Sequence, residues 1–557
     1  MQPVVLSTQS HRSWLLNTLL GMSLTLFLAA CGGGGSETTT PPPPPPPDKS
    51  ISQMQAARFL TQATFGADEA SINQLAALGY DDWLQQQFTL PPSLHLPLVM
   101  EYPDDNTLDQ TMRYEVWWRQ AITANDQLRQ RVAWALSQIF VISDKSALNQ
   151  TPYGIANYYD ILVANAFGNY RDLMQQVTLS PMMGVYLSML GNEKPNIALN
   201  IRPDENYARE LMQLFTIGLV KLNIDGSPQL DNNGQPTNTY DQDTIKGFAH
   251  VFTGWHFADN PSWYQVRINV FDPMKAFEDF HDTSEKRLLD GFIIPAGGSA
   301  LSDLNSALDN VFNHPNVGPF VAHRLVQQLV TSNPSPAYVQ RVATVFNNNG
   351  QGVRGDLKAV IKAILTDNEA ISTNTLTDPT FGKLKEPLLR FTQLWRAFHA
   401  TAESGKYWFG FSEYFTGQAP LSAPHVFNFY SPSYSPSGPI ADAGLVAPEF
   451  EILNETFITH TLNWLAYSTY IGYQGIPLDP PDPDRILINI DQELILAANP
   501  VALVDRYNLL LLSGQMDTNM KAELVASIEA IPASEPLLRV LNSLFLTVAS
   551  PQYSIQK

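Results

Sequence analysis

Cysteine is almost missing from this chain. Cys31 stands alone among 557 residues, so no disulfide framework can staple the fold and no multi-cysteine zinc site can form. Charge is sparse as well, at 15 % of residues against about 25 % in an average soluble domain. Positive charge is the scarcer sign: 33 basic side chains face 53 acidic ones, for a net charge of -20. A field of that sign repels polyphosphate, which removes nucleic acid and anionic lipid headgroups from the candidate partners. No G-x-S-x-G elbow, phosphate-binding G-x-x-x-x-G-K-[ST] loop or dinucleotide fingerprint occurs, and no basic cluster is interleaved with aromatics. What is abundant is apolar material, 44 % of the chain, which excludes global disorder. The length is too great for one small core and, at roughly 100–200 residues per domain, suggests two to four lobes.

The apolar content is unbroken in one place. Residues 14–30 form an apolar run behind His11 and Arg12 and end in Leu28-Ala29-Ala30-Cys31. That is the layout of a secretory signal, and its end resembles the bacterial lipobox, in which small residues precede a cysteine that receives diacylglycerol. The run is shorter than the ~20 apolar residues a spanning helix requires. After Cys31 come Gly32 to Gly35, then Ser36 to Thr40, then the seven prolines Pro41 to Pro47. Glycine flexes and proline extends by about 3.1 Å per residue, so this stretch reads as a disordered tether that holds the body off a lipid surface. The expectation is a signal peptide at 1–30, a lipidated tether at 31–50 and attachment to a membrane through Cys31. The lipobox resemblance implies the bacterial cell envelope, and Gly32 after the cysteine implies the outer membrane.

From residue 51 onward apolar residues recur at helical spacing. Ala56, Phe59, Leu60 and Ala63 make one stripe; Ile72, Leu75, Ala76 and Leu78 make another that stops at Gly79. A long stripe occupies 108–142, and later ones lie at 211–219, 317–329, 338–346, 357–365, 384–398, 452–465, 501–512 and 537–548. The fold class is therefore mainly α, a multi-helical body with a small β-hairpin excursion. The excursion is placed around Asp225-Gly226 and Asn233-Gly234, dipeptides that make tight turns. Their acidic residues lack the ligand order of an EF-hand, so turn chemistry accounts for them better than calcium. A proline- and serine-rich region at 419–448 divides a main body at 51–418 from a C-terminal helical region at 449–557.

Several segments together resemble a known family. They are Glu205-Asn-Tyr-Ala-Arg209-Glu210-Leu-Met-Gln-Leu-Phe-Thr216-Ile-Gly218-Leu, Gly247-Phe-Ala-His250-Val-Phe-Thr253-Gly254-Trp255, Phe280-His281-Asp282, Ala57-Arg58-Phe59-Leu60 with Thr64-Phe65-Gly66, and Pro424-His425-Val426-Phe427-Asn428-Phe429-Tyr430. In this order they resemble the bacterial family called domain of unknown function 1800. The resemblance implies export and an exported partner of alkaline-phosphatase-like type; it supplies no established reaction.

Two constellations could carry chemistry. Glu205 and Arg209 stand one helical turn apart, as do Asn206 and Glu210, so a buried Arg209/Glu210 pair would orient an anionic ligand or pin the helix to its neighbours. His250, His256, His281 and Asp282 are residue types that suit a divalent metal, which would activate water for hydrolysis. No two of those histidines have the one-turn spacing of a helical metal site, so spacing gives the metal no support. As a catalytic centre, His281 would act as base or metal ligand with Asp282 holding its tautomer, and the Arg209/Glu210 helix would complete the site. Lys286 would neutralise an anionic substrate or sit as a solvated charge. The aromatics of 407–415 and 427–434 suit stacking on a glycan, with core packing as the alternative. Two functions follow: an envelope lipoprotein that binds a surface glycan or assembles with an exported partner, or an envelope hydrolase with a His/Asp centre.

Overall fold

Helix starts are written into the sequence as capping residues. Ser52 opens Gln53–Ala63: its Oγ accepts the Gln55 N–H at 3.2 Å while Gln55 Oε1 accepts the Ser52 N–H at 3.0 Å, a reciprocal box that satisfies two orphan donors. Asp68 does the same for Glu69–Leu78, and Asp241, Ser299, Ser335 and Asp356 cap Gln242–Val251, Ala300–Phe312, Pro336–Asn347 and Leu357–Leu365. The computed structural model describes residues 50–102, 109–478 and 480–557. The expected signal peptide, the lipobox cysteine Cys31 and all but the last residue of the tether lie outside them. Among the described residues 25 α-helices stand beside three antiparallel pairs of two-residue strands. The body is mainly α. No helix among the described residues is long and apolar enough to cross a membrane.

The stripe at 108–142 is two helices rather than one, Thr111–Thr123 and Gln127–Ser137. The break is stabilised locally: Gln127 Nε2 donates to the carbonyls of Ala121 and Ala124 at 3.2 and 2.9 Å, which satisfies the open end of the first helix. The first helix packs against Pro387–Ala397, and the two pack against each other, through indole rings. Trp118 meets Trp395 edge-on at 5.3 Å, and Trp117 meets Trp134 at 5.2 Å; such pairs are worth about 0.5–1.5 kcal/mol each beyond their buried area.

The β-excursion sits where expected. Tight turns close at Gly226 and Gly234, both with φ near +80°, and isolated bridges pair Val220 with Asn238, Leu222 with Pro228 and Leu230 with Pro236. Two prolines in the pairing positions remove ladder donors, so bridges form instead of continuous strands.

Residues Lys49–Lys557 form one compact unit. In the region at 419–448, Ala419, Leu421, Ala423, Phe429 and Tyr430 are buried. The C-terminus closes the body on itself, Ile555–Gln556 pairing with Lys383–Leu384 while Arg58 Nε donates to the Lys557 carbonyl at 2.8 Å.

At the centre lies a polar knot. Glu386, 0 % exposed, accepts N–H donors from Trp134 Nε1 at 2.9 Å, Gln138 Nε2 at 2.9 Å and Gln418 Nε2 at 2.8 Å. The fully buried Arg131 lies in its field, and burial lowers the arginine's pKa while Glu386 pushes it back up. Gln138 Oε1 accepts from Asn428 Nδ2, which ties the 424–430 segment to this core.

Candidate functional site

The histidine cluster turns out to be a packing junction. His281 is fully buried. Its Nδ1 faces the Thr253 carbonyl at 3.1 Å and its Nε2 faces Asp303 Oδ2 at 3.2 Å, so both ring nitrogens are occupied and neither is free to act as a base. Asp282 does not hold His281. It pairs instead with Nδ1 of His250. Burial pushes the Asp282 carboxyl up, but hydrogen bonds from His250 and Ser284 outweigh that and hold it well below the usual carboxylate range. Lys286 is neither solvated nor turned to a substrate: its ammonium is buried, 2.7 Å from Asp303 Oδ2 and 2.9 Å from the Ser284 carbonyl.

His256 points elsewhere. Its Nδ1 accepts the Phe257 N–H at 2.9 Å, its ring meets Trp263 edge-on, and burial lowers its pKa. Among the described residues no group of three or more His, Cys, Asp or Glu is placed to hold a metal ion. The set His250, His256, His281 and Asp282 therefore does not assemble into a metal site.

The glycines in this motif explain its spacing. A Cβ on Gly247 would lie 1.9 Å from the Arg287 carbonyl oxygen, and one on Gly254, at φ +81°, would lie 2.8 Å from the His281 nitrogen. The motif lets Gln242–Val251 press against the 281–287 backbone.

Arg209 pairs with Glu205 at 2.9 Å, the one-turn pair the spacing suggests, and both side chains are partly exposed. Glu210 is buried, its Oε2 without a partner, and burial raises its pKa while Arg209 lowers it.

The same segment reaches a cleft one turn further on. After Asn206–Glu210 the chain continues as a π-helix, Leu211–Thr216, in which the Ile217 N–H reaches back five residues to the Met212 carbonyl at 3.0 Å. Such wide turns recur at functional sites because they displace side chains from the regular helical face. Here Gln213 and Leu214 line two chambers, of about 310 and 710 Å³, that share a wall of Phe320, Arg324, Gln327, Phe427, Ser431 and Pro432.

The smaller chamber is closed by the 424–432 segment. Asn428 takes a left-handed φ of +72°, a conformation asparagine tolerates better than most residues; its amide meets Gln138 while Phe427 is left 51 % exposed at the mouth. Gln138, Gln213, Gln327, Gln328 and Asn428 supply amides to this chamber, and Glu449 and Glu451 supply carboxylates. Glu449 is buried and bonded through Oε1 to Lys383 Nζ at 2.9 Å. Burial raises its pKa, and Lys383 opposes that rise.

The helix Val317–Leu329 contributes the charge. Arg324 lies over the Phe320 ring at 5.2 Å and donates from Nη1 to Gln327 Oε1 at 3.1 Å. No carboxylate among the described residues is within ion-pair reach of it. Burial lowers its pKa to about 10, which leaves it charged at neutral pH, whereas burial takes neighbouring His323 down to about 4 and leaves it neutral.

A family model described as "Protein of unknown function (DUF1800)" matches residues 58–555. The chain belongs to the DUF1800 family. The match takes in both chambers of the cleft and the His250 to Asp303 junction. No curated protein and no solved structure matches the chain. Two of the segments that carry the DUF1800 resemblance, 205–219 and 424–430, meet at the cleft, while 247–255 and 280–282 build the buried junction. Sequence reasoning missed His323, Arg324, Gln327 and Gln328. The signal was present as a His-Arg and a Gln-Gln dipeptide breaking an otherwise apolar helical stripe.

The aromatic strip divides. Phe409 is buried among Trp118, Trp395, Phe391 and Trp464 and belongs to the core, whereas Phe427 faces the cleft.

Proposed function

We propose that this DUF1800 protein is a glycan-binding lipoprotein of the bacterial cell envelope, held by lipidated Cys31 and binding saccharide in the cleft between the π-helix, the 317–329 helix and the 424–432 segment. The observation that carries the reading is the composition of the cleft wall: the amides of Gln213 and Gln328 stand beside an aromatic ring left half exposed at the mouth. Amides donate and accept from one group, which matches the paired donor and acceptor character of sugar hydroxyls. An aromatic face covers the apolar C–H side of a sugar ring. Pre-formed concave sites with a few convergent polar groups are where small ligands bind.

Calorimetric titration with a panel of neutral and acidic oligosaccharides tests the cleft. At least one saccharide binds, and Phe427→Ala weakens it roughly 5- to 30-fold, the cost of losing about 1–2 kcal/mol of contact. A panel without a binder, or a variant that binds as tightly as wild type, overturns the reading.

The anchor is tested separately. In a Gram-negative host, Cys31→Ser is expected to abolish incorporation of labelled palmitate and to move the protein from the membrane fraction to the soluble fraction. Continued labelling of the variant would remove the lipoprotein assignment without touching the cleft.

A further inference from the structure

We infer that the saccharide bound in the cleft carries an oxyanion, a carboxylate or a phosphate ester, and that Arg324 reads it. This deepens the glycan reading above and rests on it.

Three observations support the anionic class. Among the described residues Arg324 is the only arginine or lysine lining either chamber, and it belongs to the wall they share. No carboxylate among the described residues pairs with it, although this chain carries 20 more acidic than basic groups. An arginine left unpaired in so acidic a protein has its charge available to a ligand. Its guanidinium is also held in place, by the Phe320 face at 5.2 Å and by Gln327 Oε1 at 3.1 Å, and that leaves its remaining N–H donors for an incoming acceptor. A pre-set planar fork is suited to two oxygens of one carboxylate or phosphate.

The carboxylates in the smaller chamber do not compete for Arg324. Glu449 is bonded to Lys383, which also donates to the Gln327 and Gln328 carbonyls at 2.8 and 3.0 Å. Glu451 accepts the Ser431 N–H. The negative field of the whole body opposes a long polyanion, so the site suits one charge gripped at short range.

The test titrates full-length protein with galacturonate trimer against galactose trimer, and with mannose 6-phosphate against mannose; inorganic phosphate is the control for a bare anion. Arg324→Gln and Arg324→Lys are measured beside wild type, each first checked by thermal melting for an intact fold. The inference expects at least one acidic sugar to bind more tightly than its neutral counterpart, Arg324→Gln to lower that affinity roughly 10- to 100-fold, and Arg324→Lys to restore part of it. The pair that shows the difference tells carboxylate from phosphate. Raising salt from 20 to 200 mM should leave the affinity level or raise it, because the contact is sheltered while the body's repulsion is screened. Neutral sugars that bind as well as acidic ones, or an Arg324→Gln variant with unchanged affinity, overturn the anionic subsite and leave the glycan cleft standing. Binding by inorganic phosphate alone, or a steep fall with salt, also overturns it, as the mark of simple anion adsorption. Absence of binding by any sugar, neutral or acidic, overturns the cleft reading itself.

Discussion

Glu386→Ala is expected to destabilise the protein by about 3–5 kcal/mol, the cost of removing one partner from a buried ionic network. The carboxylate takes three N–H donors, from Trp134, Gln138 and Gln418, and its charge acts on Arg131, whose Nε and Nη1 have no hydrogen-bond partner. Alanine removes the acceptor, leaves three donors unsatisfied and takes a counter-charge away from the buried guanidinium. Urea unfolding at neutral pH measures the loss; a change below about 1 kcal/mol would mean that the knot contributes no net stability. Glu386→Gln separates charge from shape. It keeps one acceptor oxygen, so it should cost less than alanine but still show the unanswered Arg131 charge. Because Gln138 also holds Asn428, the alanine variant should loosen the 424–432 wall of the cleft first, visible as faster amide exchange there than in the Gln53–Ala63 helix.

His281→Ala carries the second large effect, and it is an effect on folding. The imidazole is fully buried and bridges the Thr253 carbonyl to Asp303. Its removal opens a cavity and strips one hydrogen bond from each neighbour, for a loss of about 2–4 kcal/mol. Asp303 keeps its contact with Lys286, so the variant should still fold at low temperature. A catalytic base would behave the other way, with stability retained. A melting temperature within a degree or two of wild type would therefore overturn the structural role and return His281 to the list of candidate catalytic groups.

The helical body was legible because helix signals are local. Ser52 with Gln55, Asp68 with Ser71, and the apolar stripes at 56–63 and 72–78 each act within four residues, and the structure places helices on them. The turns at Asp225-Gly226 and Asn233-Gly234 were legible for the same reason. The break between Thr111–Thr123 and Gln127–Ser137 was not, since both helices are apolar on the side that meets the core and the stripe runs straight through. The π-helix at Leu211–Thr216 was equally hidden: one extra residue in a turn leaves no mark on composition.

The site was much less legible, because it depends on which side chains meet across long sequence separations. His281 and Asp282 are adjacent in the chain, yet their side chains turn to different partners, Asp303 and His250. Arg324 and Phe427 are about a hundred residues apart and share a cleft wall. Lys286 looked like a surface charge until Asp303, seventeen residues on, was found beside it.

By itself the sequence determined the mainly α class, the starts of the helices that open on a Ser, Asp or Asn cap, and the membership signalled by the 205–219, 247–255 and 424–430 segments. Only the tertiary structure decided that the histidines are packing groups and that the binding candidate is an amide-lined cleft around Arg324. The physical reason is that capping and periodicity are settled by near neighbours along the chain, whereas the protonation, pairing and exposure of a charged side chain are settled by whatever the fold brings to its other side.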